Sequence, residues 1–147
     1  MAGNVRVLVV DDSALMREMI CDFLAGAPGI EVVGTAANGR KALEMLDSAK
    51  PDVVTLDVQM PEMDGLATLD EILKRRPLPV IMVSSLTTRG ADITLDALDR
   101  GALDYVAKPE GGGPAVHAAL RDELVRKVRT MAGTDVTRML QIRRARA

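Results

Sequence analysis

Short β-branched runs alternate with longer helix-patterned segments along nearly the whole chain, and this alternation restricts the fold more than any other feature. The first run, residues 5–10, is almost continuously apolar, as a strand covered on both faces must be. Asp11-Asp12-Ser13 follows with helix-capping residue types, and Leu15, Met16, Met19, Ile20, Phe23 and Leu24 then recur at helical spacing. Gly26-Ala27-Pro28-Gly29 stops that helix. Residues 31–36 read as a second strand, and Asn38-Gly39 opens a helix carrying Ala42, Leu43 and Leu46. A third strand, 52–56, terminates at Asp57 and gives way to a loop with Met60-Pro61 and Asp64-Gly65. Residues 66–75 are patterned as a helix and 79–83 as a fourth strand; Thr87-Thr88 then caps a helix that runs to Arg100 and stops at Gly101. A short fifth strand, 103–107, ends at Lys108-Pro109. Beyond the Gly111-Gly112-Gly113-Pro114 break, Val116, Leu120, Leu124 and Val128 sit four apart on a last helix. Five strands alternating with five helices predict an α/β fold, a single doubly wound five-stranded parallel sheet with helices on both faces.

Residues 4–131 make up this one domain. Residues 132–147 do not supply a sixth unit and read as a basic linker or tail: they carry four Arg and one Asp, against a net charge of −5 for residues 1–131. The whole chain, at −2, has no general attraction for nucleic acid or anionic membrane. With Phe23 and Tyr105 as its only aromatics, it also lacks the stacking platforms of a single-strand nucleic-acid binder. One cysteine, Cys21, excludes an internal disulfide and a cysteine zinc site, and one histidine, His117, excludes a multi-histidine metal centre within the chain. The amino-terminal apolar run is too short for a signal peptide, and no stretch approaches the roughly 18 to 20 apolar residues of a membrane span. A cytoplasmic setting without membrane insertion is expected.

Ligands of open parallel sheets bind beyond the carboxyl ends of the strands. At those ends stand Asp11 and Asp12 after the first strand, Asp57 after the third, Ser84 and Ser85 after the fourth and Lys108 after the fifth. Each has an ordinary reading alone. Asp12 would be a helix cap, Lys108 a surface lysine, and Ser84 or Ser85 a loop hydroxyl. Met60 and Met63 read as packing residues, Cys21 as part of the first helix's apolar face, His117 as a surface residue, and the terminal arginines as solvated. The set is another matter. Three clustered carboxylates repel one another and call for a hard cation, Mg²⁺ or Mn²⁺. Pro109 forces the backbone before it to be extended, which aims Lys108 along the strand end. Cation, ammonium and hydroxyl donor together describe a site for a phosphoryl group, with a carboxylate as nucleophile.

The segments VLVVDDS (7–13), PDVVTLDVQMPEMDG (51–65), PVIMVSS (79–85) and GALDYVAKP (101–109) closely resemble the receiver domains of two-component response regulators, over residues 4–131. DDSALMRE, TLDVQMPEMDGL and PVIMVSSLT are most similar to the receivers of the CheB family of chemotaxis protein-glutamate methylesterases. The resemblance implies a flavodoxin-like receiver fold with Asp57 as phosphoacceptor. It implies direct Mg²⁺ ligation by Asp12 and Asp57, with Asp11 acting through water and the Gln59 backbone carbonyl completing the set. Ser84 would be the switch hydroxyl, Tyr105 the switch aromatic and Lys108 the phosphate-pairing ammonium, with a cis Lys108–Pro109 peptide. The phosphodonor would be a chemotaxis histidine kinase. The other partners would be a C-terminal esterase domain and, through it, chemoreceptors. That effector is expected to be missing here, because no G-x-S-x-G segment occurs and the single histidine lies within the receiver. The chain alone is then expected to do no chemistry beyond Mg²⁺-dependent autophosphorylation and autodephosphorylation.

Other readings are a free-standing motility receiver, the receiver of another regulator, and an Asp-dependent phosphohydrolase. The last places its second Asp two positions after the nucleophile, whereas Asp11 and Asp12 are adjacent and followed by Ser13-Ala14. A nucleotide- or flavin-binding module would need a Gly- or hydroxyl-rich loop where Asp11-Asp12 repels phosphate.

Overall fold

The computed structural model describes residues 4–58, 60, 63–85, 88–109 and 111–146. Strands β1 (Val5–Val10), β2 (Ile30–Ala36), β3 (Val53–Asp57), β4 (Val80–Ser85) and β5 (Asp104–Lys108) form one parallel sheet in the order β2-β1-β3-β4-β5. Between them run α1 (Ala14–Ala25), α2 (Gly39–Ala49), α3 (Gly65–Arg75) and α4 (Thr88–Arg100), with α5 (Pro114–Met131) and α6 (Val136–Arg146) after β5. The chain steps outward from β1 to β2, then crosses back to β3 on the other side of β1. The sheet therefore has its topological switch point between β1 and β3, where a crevice opens beyond the strand ends.

The period-2 alternation of each strand divides the core into two layers. Leu8, Val10, Val54, Leu56, Val80 and Met82 pack against Ala42, Leu43 and Leu46 of α2, Leu69 and Ile72 of α3 and Ala97 of α4. The alternate residues Val7, Val9, Val53, Ile81, Val83 and Val106 face Ile20 and Leu24 of α1 and Leu120, Leu124 and Val128 of α5. Most of these side chains are shut off from water, each contributing about 1.5–3 kcal/mol of burial. Aliphatic residues fill both layers, as a chain with two aromatics requires.

Helix starts follow the capping residues. Ser13, Asn38 and Asp64 accept from the backbone N–H groups of Met16, Lys41 and Ala67 at 3.3, 2.9 and 2.8 Å. Gly101 closes α4 in the left-handed region, at φ +129°. The expected cap Thr87 lies outside the described residues.

Three expectations are corrected. β4 runs through Ser85 and β5 through Lys108, because Ser84 and Ser85 pair in register with Ala107 and Lys108. Ladder hydrogen bonds extend both strands into polar residues that strand propensity alone would leave outside. Five helices were expected, and the basic segment read as a linker or tail adds a sixth, α6, with Val136 buried and the Arg143 guanidinium donating to the Leu98 carbonyl at 3.2 Å. Leu140 of α6 lies against Gly101, where an added Cβ would stand 3.0 Å from its Cδ2. Finally, the Lys108–Pro109 peptide is trans rather than cis, as are all the described peptides. Trans is the ground state of an X–Pro bond by about 0.5–1 kcal/mol, and Lys108 reaches both of its carboxylate partners from it.

Candidate functional site

Strand order places the ends of β1, β3, β4 and β5 side by side, which gathers the polar residues expected there. Asp11 follows β1 and is fully buried. Its backbone N–H donates to the Ala36 carbonyl at 3.1 Å, and its own carbonyl accepts from the Arg17 guanidinium at 2.7 Å. Its Oδ1 accepts from the Ser13 N–H at 2.9 Å, an Asx-type turn that starts α1. Asp12 beside it is exposed. Asp57, the last residue of β3, is buried. From the end of β5 the Lys108 ammonium reaches across to Asp11 Oδ2 at 2.9 Å and Asp57 Oδ1 at 3.2 Å. Asp12, Asp57, Val58, Ser84, Ser85, Gly90 and Lys108 line a cleft of about 270 Å³. A wider groove of about 800 Å³ between α1 and α5 holds none of the buried polar residues, so the chemistry belongs to the smaller cleft.

The electrostatics are those of a crowded anionic site. Burial pushes the Asp57 carboxyl up to about 7; Lys108 opposes the rise, while the Asp11 charge and a hydrogen bond with Asp12 reinforce it. Burial alone would lower the Lys108 ammonium, but the contact with Asp11 and the charges of Asp57 and Asp11 outweigh it and hold Lys108 above its ordinary value. One carboxylate oxygen each from Asp11, Asp12 and Asp57 lies within 4.8 Å of the others. Asp11 Oδ2 is buried, with the Lys108 ammonium 2.9 Å away. Hard oxygen donors in surplus over the positive charge present fit a divalent cation of the Mg²⁺ class. Gln59, whose carbonyl was expected to join them, lies outside the described residues.

Ser84 and Tyr105 flank a second, smaller cleft of about 180 Å³, lined also by Thr94, Leu95 and Leu98. The Ser84 hydroxyl is buried and lies 2.8 Å from the Thr94 hydroxyl on α4. The Tyr105 ring stays partly exposed, with the Lys127 ammonium 5.2 Å from its centroid. The expected residues Asp11, Asp12, Asp57, Ser84 and Lys108 thus converge, and Tyr105 sits one small cavity away. Thr94 is the residue that sequence reading missed. Its one signal was a hydroxyl on the apolar side of α4, beside Ile93 and Ala97.

Comparison with known proteins agrees with this geometry. Residues 7–121 match the model of the response regulator receiver domain. A protein-glutamate methylesterase/protein-glutamine glutaminase of Geobacillus kaustophilus is 50% identical over 141 residues, 96% of this chain and 40% of the relative. Its counterpart in Archaeoglobus fulgidus is 54% identical over 131 residues, 89% of this chain and 37% of the relative. The chain therefore spans about two fifths of such relatives' length. The crystal structure of the response regulator domain of Thermotoga maritima CheB superposes with a TM-score of 0.80 at 44% identity, covering 90% of this chain and 98% of that one. Among the described residues no helix is long and apolar enough to cross a membrane. With its family motifs at the strand ends and a CheB receiver matched over nearly its full length, the chain belongs to the response regulator receiver domains, of the CheB type.

Proposed function

We propose that this chain accepts a phosphoryl group on Asp57 from the phosphohistidine of a chemotaxis histidine kinase in the cytoplasm. Phosphorylation would regulate a methylesterase effector of the kind its longer relatives are named for, and through it chemoreceptors. One observation carries the reading: a buried carboxylate at a strand end, 3.2 Å from a largely buried ammonium and grouped with two further carboxylates.

These positions support an in-line transfer to Asp57. An ionised Asp57 oxygen attacks phosphorus in line; the P–N bond breaks, its electron pair returns to the imidazole nitrogen, and an acyl phosphate forms on Asp57. Lys108 favours the anionic nucleophile and then neutralises charge on the transferred group's oxygens. Asp12 and Asp57, with Asp11 beside them, would hold a divalent cation of the Mg²⁺ or Mn²⁺ class, which would supply charge neutralisation for the carboxylates and the phosphoryl oxygens. Ser84 donates its hydroxyl to the new anion, and Tyr105 turns toward the space between them. These movements alter the surface of α4, β4 and β5 as a shift between two states.

Incubation with radiolabelled acetyl phosphate tests the proposal. Label is expected with Mg²⁺, labile to hydroxylamine as an acyl phosphate is, and lost on chelation with EDTA. Label that survives chelation, or that resists hydroxylamine, overturns it. Ser84→Ala is expected to label within a few-fold of the parent while the amide NMR shifts spread less far toward α4. An undiminished spread counts against the role of Ser84.

A further inference from the structure

The hydroxyl pair between β4 and α4 has a direction that the distances determine. Thr94 Oγ1 lies 2.7 Å from the Gly90 carbonyl oxygen and 2.8 Å from Ser84 Oγ. A carbonyl only accepts, and a hydroxyl carries one proton, so Thr94 donates to Gly90. The contact with Ser84 must then use the Ser84 proton, with Thr94 Oγ1 accepting. Both hydroxyls are buried, Ser84 at 3% exposure and Thr94 at 5%. The one proton that Ser84 has to offer an anion is therefore already committed to α4.

We propose that Thr94 is a positioning residue: it latches the Ser84 hydroxyl to α4, and a phosphoryl group on Asp57 gains that hydroxyl only by breaking the latch. The inference rests on Asp57 being the acceptor, and it adds the reason why the unmodified state persists. Two acceptors, Thr94 Oγ1 and a phosphoryl oxygen, compete for one proton. Their competition sets the population of the two states. When Ser84 leaves, Thr94 keeps its bond to Gly90, four residues back on α4, but the helix loses this tie to the end of β4. The freed helix carries Leu95, Leu98 and the wall of the cleft beside Tyr105. Breaking the latch thus loosens α4 and opens the Tyr105 cleft in one event.

Beryllofluoride with Mg²⁺, an acyl-phosphate mimic, provides the test, with affinity read from amide NMR titrations of the full chain. Thr94→Val keeps the side-chain shape but cannot accept, which leaves the resting Ser84 hydroxyl without this partner. One buried hydrogen bond lost from the resting state alone is expected to tighten beryllofluoride binding about three- to tenfold. Thr94→Ala, which also lacks the acceptor, should tighten binding likewise, and Thr94→Ser should restore the parent affinity. In a Ser84→Ala background, Thr94→Val should change nothing further, since no proton remains to compete for. A merely structural Thr94 would move stability without that dependence on Ser84. Unchanged or weakened affinity in both Thr94→Val and Thr94→Ala overturns the latch, as does tightening that persists without the Ser84 hydroxyl. A parent chain that does not bind beryllofluoride overturns the acceptor reading and the latch together.

Discussion

Replacing Asp57 with Asn is expected to reduce labelling by acetyl phosphate or a phosphorylated kinase to background, while making the metal-free domain more stable at alkaline pH. The first effect is the loss of the nucleophile: an amide oxygen of the same shape has no anionic lone pair to form the acyl phosphate. The second follows from the charges that face this carboxyl. Asp11 lies at the end of β1 beside it, Asp12 shares a hydrogen bond with it, and Lys108 approaches from β5. Burial and the two carboxylates raise its pKa from 3.8 to about 7. The folded state thus binds this proton more tightly than the unfolded chain does. That stabilisation is fully present below about pH 4 and is lost as pH rises through about 7. The substituted amide does not titrate. The stability difference between Asp57→Asn and the parent should accordingly be small near pH 4 and open to about 2–4 kcal/mol by pH 8. Urea denaturation of both chains across that range, in EDTA, measures the gap. Saturating Mg²⁺ should close most of it, because a bound cation removes the repulsion that raises the pKa. A gap independent of pH and of Mg²⁺ would mean that Asp57 is not the strained member of the cluster. Residual hydroxylamine-labile label in Asp57→Asn would mean that it is not the acceptor.

Most of this site was legible before the structure because of one physical coincidence. Strands covered on both faces must be apolar, so the first polar residue after each run marks the strand's end, and strand ends in a parallel sheet are where sites form. Asp11, Asp57 and Lys108 follow directly from that rule. The rule places strand ends less well than it finds them: Ser84, Ser85 and Lys108 belong to the ladder through their pairing partners, which single-strand patterning does not contain. Thr94 was missed for a related reason. A threonine on a helix is unremarkable until the fold sets its hydroxyl 2.8 Å from Ser84. The helix α6 escaped because it has no apolar stripe of its own. Val136, the contact of Leu140 with Gly101, and the bond from Arg143 to Leu98 are all tertiary. The trans Lys108–Pro109 peptide corrects an expectation that came from resemblance rather than from any residue of this chain.

The other large effect is expected at a glycine with no chemistry of its own. Gly65 opens α3, and its N–H donates to the Val58 carbonyl at 3.1 Å, which folds the start of the helix back onto the end of β3. A Cβ at this position would stand 2.5 Å from the Asp57 carbonyl oxygen, 2.6 Å from the Val58 carbonyl oxygen and 2.8 Å from Val58 Cα. All three are backbone atoms, so no rotamer change relieves the overlap, and β3 and α3 must move apart. Gly65→Ala is expected to cost about 3–4 kcal/mol, a large part of the roughly 5–15 kcal/mol that holds a domain of this size together. Gly133 is the matched control: a Cβ there meets nothing within 4 Å, and Gly133→Ala should fall within about 0.5 kcal/mol of the parent. Chemical denaturation of the three proteins decides the matter, and equal midpoints for Gly65→Ala and Gly133→Ala would refute the argument. The displaced atoms include the carbonyl of Asp57 itself, so the strain enters the nucleophile's own residue. The surviving folded fraction of Gly65→Ala should therefore label more slowly than the parent even under conditions where both are fully folded, whereas Gly133→Ala should label at the parental rate.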